Sequence, residues 1–402
     1  MHLGPILRAL MRHRTRMVLI ALEVALTLAI VVNCVNMILE ERRVMQRPSG
    51  LPEESIFAIL VSPFDFDPSD PEAVMADRWA DVRVLEEVPG VIAATVTNAV
   101  PLSGGGSATG RKPEDFEGDS MTTPYFLVGE SGLEVLDLEL VAGRSFVPAD
   151  FELPDDRRPL IVNRAWAETL FGTDDVIGKV VTEGSGENRN EIIGLVDQMA
   201  SAWPQSSVWN QAVLWPDHVI SPQSPYYYIL ARVDPDQVDL MAERIPEALM
   251  AHREDREILV GTLAETRSDT FSSSSRLVQS LSAVAILLVF VTCLGIAGLT
   301  SFSVTERVGQ IGTRRALGAT RGQIVAQFLV ENWIVTTIGL AFGIVFAYAL
   351  AWGLGEAADV PHLQFWQVAL GAVALWIVGQ LSSLAPALRG ARVPPVVATR
   401  AA

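Results

Sequence analysis

Arginines recur at Arg307, Arg314, Arg315 and Arg321 within the stretch Glu306–Gln323. Val308, Ile311, Leu317 and Ile324 lie at spacings that form one apolar edge, so the segment is short, amphipathic and basic. Gly312 and Gly318 lower its helix propensity and let another backbone approach closely. Two kinds of chemistry suit this pattern, and neither breaks a covalent bond. One is a membrane-surface loop whose arginines meet anionic lipid. The other is a coupling helix that docks into a partner. The alternation of charge and apolar side chains is compatible with both.

Residues that could carry catalysis are scattered. His2, His13, His218, His252 and His362 form no H-E-x-x-H pattern, and no G-x-S-x-G elbow exists. We therefore assign no catalytic and no metal-ligating residues. Two glycine clusters imitate nucleotide sites. Leu102-Ser103-Gly104-Gly105-Gly106 nearly spells the signature of ABC ATPases, and Gly172–Lys179 nearly spells a phosphate loop. The second has one residue too many between its glycines, and Val180 stands where a magnesium-binding hydroxyl is needed. Both read as glycine-rich turns.

The elements that hold the basic segment are membrane helices. A bilayer core of ~30 Å requires ~20 mostly apolar helical residues. Four stretches qualify: residues 17–39, 281–304, 328–352 and 366–388. None shows strand-like alternation, so they read as helices rather than barrel strands. The first is longer than a signal-peptide core, and Glu40-Glu41-Arg42-Arg43 follows it in place of a small-residue cleavage site; it is expected to be a retained anchor. Cys34 and Cys293 lie inside spans and read as small buried hydrophobes, so no disulfide is expected in the region between the first two spans. Polar groups within the first span are Glu23, Asn33 and Asn36. Glu23 is either a contact or proton site at a helix interface, or a protonated residue near the membrane surface. The asparagines suit a helix–helix seam or the exit toward water.

Charge orients the chain. Residues 40–277 carry 42 acidic and 19 basic residues, a net of −23. Residues 1–16, 305–327 and 389–402 together carry 11 bases and one acid. The positive-inside rule then places those three segments, with both termini, in the cytosol, and the large acidic region outside. Residues 353–365, with Glu356 and Asp359 and no base, form a short outer loop. So acidic an outer domain excludes nucleic acid as a partner.

That outer domain reads as α+β. Ile56–Val61 is strand-like, Pro71–Val88 is helical with Met75, Trp79, Val82 and Leu85 on one face, and Val91–Val100 is strand-like again. The order repeats with Tyr226–Val233, Asp236–Met250 (Val238, Met241, Ile245 and Leu249 on one face) and Arg256–Leu263. This is a split βαβ arrangement interrupted by an insertion, roughly Pro124–Trp215, expected to form a second lobe. Residues 262–279, which lack Pro and Gly, are expected to be a helical stalk running into the second span, although the Ser272–Ser275 run also suits a flexible linker.

The basic segment resembles the E-R-x-x-E-I-G-x-R-x-A-L-G-A pattern of FtsX-like permeases, here Glu306-Arg307, Ile311-Gly312, Arg314 and Ala316-Leu317-Gly318-Ala319. Gln310 replaces the usual Glu and removes one negative charge. The outer region resembles the periplasmic core domain of MacB-type permeases at Val88-Pro89-Gly90-Val91, Pro101–Gly105, Gly143-Arg144-Ser145-Phe146, Val162-Asn163, Leu170-Phe171-Gly172 and Ile177-Gly178-Lys179, and Ala21–Leu26 is similar to the family's first span.

The resemblance implies a type VII ABC permease in the bacterial inner membrane, without a fused ATPase domain. Residues 280–402 would be the FtsX-like domain, and the outer domain would have a porter-like lobe and an inserted lobe. It implies that Glu306, Arg307, Gln310, Ile311, Gly312, Arg314, Leu317, Gly318 and Ala319 couple to a cytosolic ABC ATPase dimer. ATP and Mg would bind to that partner, with no cofactor in this chain. The further partners implied are a second permease copy or paralogue, and a periplasmic adaptor with an outer-membrane channel. MacB-like efflux of drugs, lipopeptides or similar amphiphiles is the leading expectation. Lipoprotein release of the LolC/LolE kind and FtsX-like control of a cell-wall hydrolase are the alternatives.

Overall fold

The computed structural model describes residues 14–183, 188–358 and 362–394. Arg8, Arg12, Asp359 and Arg400, used above for orientation, lie outside the described residues. The chain divides into two compact units, Val44–Ser273 and the residues on either side of it. Helix α1 (Arg14–Met45) enters the first of these from the N-terminal side.

In Val44–Ser273 the elements run β1 (Ile56–Pro63), α2 (Pro71–Glu86), β2 (Val91–Thr97), β3 (Ser107–Pro113), β4 (Met121–Val128), α3 (Gly132–Val135), β5 (Leu140–Gly143), α4 (Pro148–Phe151), β6 (Leu160–Asn163), α5 (Arg164–Phe171), β7 (Val180–Glu183), β8 (Arg189–Val196), β9 (Val213–Pro216), β10 (Tyr227–Val233), α6 (Val238–His252), β11 (Arg256–Thr262) and α7 (Leu263–Thr270). Strands β11, β1, β10 and β2 lie side by side in that order, each pair antiparallel. Each half thus contributes two strands with a strand of the other half between them, which is the split βαβ arrangement. The faces read from the periodicity bury as expected: Met75, Val82 and Leu85 of α2 and Met241, Ile245 and Leu249 of α6 pack on Phe57, Ile59, Val61 and Ile229.

The inserted strands close on themselves. β4 pairs β3, then β7, β8, β6 and β9 follow, and β9 returns to β4 in parallel. Closure removes free edges from this ring. Its centre is filled by Trp166, Leu160, Val162, Ile192 and Val213. The Trp166 indole N–H donates to Thr123 Oγ1 at 3.0 Å, which satisfies the one polar group this large side chain buries. A single strand pairing, Thr97 with Val128, joins ring and four-stranded layer into one continuous sheet path. The insertion begins earlier than the sequence suggested, at β3 rather than near Pro124. Ser107–Pro113 holds only Ala108 and Pro113 as apolar residues, and its one buried side chain is Arg111, so it carries no apolar alternation to mark it as a strand.

Arg267 of α7 ties the start of this unit to its end. Its guanidinium donates to the Met45 carbonyl at 2.7 Å, to the Arg47 carbonyl and to the Glu53 carboxylate. Helix α7 opens with a reciprocal cap between Thr262 and Glu265. It ends at Phe271, and α8 (Ser272–Glu306) starts anew. The stalk expected as one helix over 262–279 is therefore broken once, at Phe271.

The other unit is helical: α1, α8, α9 (Val308–Ala316), α10 (Arg321–Ala358) and α11 (Phe365–Ala391). α1, α8, α10 and α11 are each long and apolar enough to cross a membrane. The third extends to Ala358, so half of the loop expected over 353–365 is helical. α1 is the most enclosed: half of its most apolar stretch is buried, against 17–33% in the others. Small residues permit this. A side chain at Gly339 or Gly343 of α10 would run into Ala21, Val24, Ala25 and Leu28 of α1, and one at Gly371 of α11 into Val32. Close backbone approach at small residues is how helices gain contact where lipid supplies no hydrophobic drive.

Candidate functional site

Helix α9 and the turns at its ends form an elbow between α8 and α10. Its exit is fixed by local chemistry. The Gly318 N–H donates to the Arg315 carbonyl (3.2 Å) and the Ala319 N–H to the Arg314 carbonyl (3.0 Å), a Schellman closure. Gly318 has φ +97°, the left-handed region that only glycine enters without strain. Two residues later Thr320 and Gln323 cap each other, Thr320 N–H to Gln323 Oε1 (2.9 Å) and Gln323 N–H to Thr320 Oγ1 (3.3 Å), and α10 begins. The chain thus reverses within Leu317–Thr320.

The nine residues expected to couple fall into two sets. Arg307, Ile311, Gly312 and Ala319 turn inward. Ile311 is buried among Val304, Ile324, Phe328, Ala387 and Ala391, with Ala319 against the same cluster. Arg307 Nη1 donates to both carboxylate oxygens of Glu331, each at 2.9 Å, and both side chains are largely buried. Gln327 Nε2 donates to the same carboxylate at 3.1 Å, and Arg314 donates to Gln327 Oε1. Arg315 Nη1 donates to the Ala391 carbonyl (3.2 Å), placing a cation at the C-terminal end of α11, where the helix dipole favours it. Arg16, Thr300, Arg307, Glu331 and Asn332 line a cavity of about 30 Å³, room for one water.

Glu306, Gln310, Arg314, Leu317 and Gly318 face outward. Gln310, Arg314 and Leu317 recur three to four positions apart along α9, so they form one stripe, and Glu306 is the last residue of α8. The sequence grouped Leu317 with the buried edge of Val308, Ile311 and Ile324. The structure corrects this: Leu317 is 84% exposed, and Val308 lies outside the buried cluster. The physical reason is helix phase: Leu317 lies six positions after Ile311, about 240° further round the helix, and so falls in line with Arg314 rather than with Ile311.

Sequence reasoning assigned no role to Glu331 and Gln327 and only a charge to Arg16. A signal existed for Glu331, since a carboxylate in an apolar span requires a cation or a solvated exit. The intramembrane polar residues are placed separately. The Glu23 carboxyl sits where a side chain at Gly295 would be, against α8. One turn further, Thr27 and Thr292 share a hydrogen bond of 2.7 Å. Asn33 Nδ2 donates to the carbonyls of Ala29 (2.8 Å) and Ala347 (3.1 Å), so it crosses from α1 to α10. Asn36 is buried. None of these touches the elbow. Among the described residues no group of His, Cys, Asp and Glu is placed to hold a metal ion.

Two family models cover most of the chain. A MacB-like periplasmic core domain matches residues 18–248, and an FtsX-like permease C-terminal domain matches residues 282–395. Among curated proteins, the uncharacterized ABC transporter permease YknZ of Bacillus subtilis (strain 168) is 26% identical over 68% of this chain and 68% of its own length. The macrolide export ATP-binding/permease protein MacB of Neisseria gonorrhoeae is 25% identical over 75% of this chain, and the match spans 46% of that longer protein. Among solved structures, the periplasmic region of MacB from Actinobacillus actinomycetemcomitans aligns with 58% of this chain and 98% of its own, with a TM-score of 0.36 and 12% identity.

Proposed function

The chain belongs to the MacB-like, FtsX-like family of ABC transporter permeases, and from that premise we propose that it relays the motion of a separate cytosolic ATPase across the inner membrane to its outer domain. In this reading it hydrolyses nothing itself. Both termini and the elbow lie in the cytosol, the acidic domain lies in the periplasm, and two permease subunits stand over two ATPase subunits. The four-stranded layer and the β ring act as porter-like and inserted lobes of that domain.

The observation that carries the reading is the division of the elbow. Arg307, Ile311 and Ala319 fix it to the helical bundle, while Gln310, Arg314 and Leu317 remain uncovered as one stripe, with Glu306 exposed just before it. A segment held rigidly on one side and bare on the other can pass on a push. A loop that only met lipid would need no buried ion pair beneath it. From the elbow the stroke would follow α8, stiff along its axis, and enter the outer domain through Phe271 and α7. There Arg267 binds the incoming and outgoing chain together, so both would move as one.

MacB-like efflux of an amphiphile is the activity we propose for the assembly. Affinity purification from native membranes tests the reading. Recovery of an ABC ATPase with the wild-type chain is the expected result. Recovery of a cell-wall hydrolase or a lipoprotein carrier without any ATPase would overturn it.

A further inference from the structure

The glycine cluster that imitated an ATPase signature lines a polar cleft in the outer domain, and we infer that this cleft binds an uncharged, hydroxyl-rich ligand of the saccharide class. The cleft is about 460 Å³, within the range of small-molecule sites. One wall is Thr97, Asn98, Ser103, Gly105 and Gly106; the other is Ser221, Ser224 and Tyr226 to Tyr228.

Both walls are held in place from behind. Arg78, 2% exposed, donates to the carbonyls of Ile220 (2.7 Å), Ser221 (3.0 Å) and Ser224 (2.7 Å), and so fixes the turn in which Ser221 takes a positive φ of 48°. Opposite, Leu102 also has positive φ, 66°, and the loop is tied down by Leu102 N–H to the Ser201 carbonyl (3.1 Å) and Gly104 N–H to the Ala202 carbonyl (2.7 Å). A preformed cleft loses little ordering entropy when it binds.

Charge narrows the ligand. In a domain with a net of −23, this cleft is lined by no carboxylate, so it is not built for a cation. Its one guanidinium, Arg78, is already committed to three carbonyls and lies over the Tyr227 ring, so it is not free to pair with an anion. What remains is neutral and hydrogen-bonding. Asn98 is held in its wall through Oδ1, which accepts from Leu127 N–H at 2.7 Å. Tyr226 and Tyr228, edge to face with centroids 5.9 Å apart, offer an apolar ring surface beside polar tips. A sugar ring has the same two characters, C–H faces and a rim of hydroxyls.

The inference stands apart from the coupling reading, because binding is measured without an ATPase. The full chain in nanodiscs is titrated with maltotriose, chitotriose and, below its micellar concentration, n-octyl glucoside, following saturation-transfer NMR and tyrosine fluorescence. Wild type is expected to saturate with at least one of them. Tyr226→Ala removes the 47% exposed half of the aromatic pair and should weaken binding about tenfold. Gly105→Leu fills the cleft, and nothing lies within 4 Å of the new Cβ, so the variant should fold and lose binding. Saturation by the trisaccharides assigns a free glycan; saturation by the octyl glucoside alone assigns a lipid-linked one. No saturation with any of the three, or equal binding by Gly105→Leu, overturns the inference.

Discussion

Removing the Arg307 guanidinium should destabilise the elbow far more than its count of contacts suggests, and removing Glu331 as well should restore most of the loss. Arg307 contributes one nitrogen at 2.9 Å to both oxygens of a carboxylate that is 7% exposed. Losing one partner of a buried pair typically costs about 3–5 kcal/mol, because the remaining charge is stranded. Here Gln327 still donates to Glu331 and Arg16 borders the same cavity, which places Arg307→Met at the lower end, about 3 kcal/mol or more than a hundredfold in equilibrium. Glu331→Gln strands the arginine instead and should cost about 2 kcal/mol. The double variant removes the pair itself, keeps the side-chain volumes and leaves only Arg16 beside the cavity, so it should fall within ~1–2 kcal/mol of wild type. Denaturant unfolding of all four proteins in identical nanodiscs closes the cycle. The expected interaction energy is about 3 kcal/mol, and an additive result, within ~0.5 kcal/mol, would refute the claim that this pair holds the elbow.

Leu317→Asp, at an 84% exposed position, should leave unfolding unchanged within ~0.5 kcal/mol yet abolish ATPase co-purification, whereas Ile311→Asp should lose both because it buries a charge among Val304 and Phe328. Gly295→Ala should displace the flexible Glu23 carboxyl and lower thermal stability in nanodiscs only slightly, whereas Gly339→Ala, which meets the Ala21 backbone, should lower it clearly; equal losses would contradict this packing. In the outer domain, hydrogen bonds from Arg144 Nη1 (2.6 Å) and Nη2 (2.9 Å) hold the Asp150 carboxyl below the ordinary aspartate range; burial opposes this, and the Val147 N–H and the arginine charge add to it. A carboxyl depressed in the folded state contributes stability in full above its unfolded value of about 3.9 and loses it as pH falls through the lower folded value. Arg144→Gln should therefore flatten the acid limb of the stability profile below about pH 4, and an unchanged limb would remove Asp150 from the account.

Much of this architecture is written locally. The helical faces of α2 and α6 follow from apolar residues every three to four positions, and the four long helices from runs of apolar residues. The elbow's inward and outward sets were less legible. Val308 and Ile311 lie three positions apart, but Leu317 is six beyond Ile311, about 240° further round, so one apolar edge cannot hold all three in a single helix. Glu331 lies 24 positions from Arg307, so no window joins them; the pairing depends on how α8 and α10 pack. Strand β3 escaped for the opposite reason: its residues are polar and its place is set by pairing with β4 and β7. The polar cleft was invisible as a unit because its walls are more than a hundred residues apart in sequence.

The central claim is that the bare stripe of the elbow meets an ATPase. A photo-crosslinker attached through cysteine at Leu317→Cys, with Phe365→Cys as the comparison, addresses it directly in native membranes; both positions are strongly exposed, and they sit at opposite ends of the bundle's long helices. The account predicts an adduct between position 317 and a nucleotide-binding subunit, strengthened or lost when ATP is trapped, and none at 365. Adducts only to lipid at 317, or the same ATPase adduct from both positions, would contradict it.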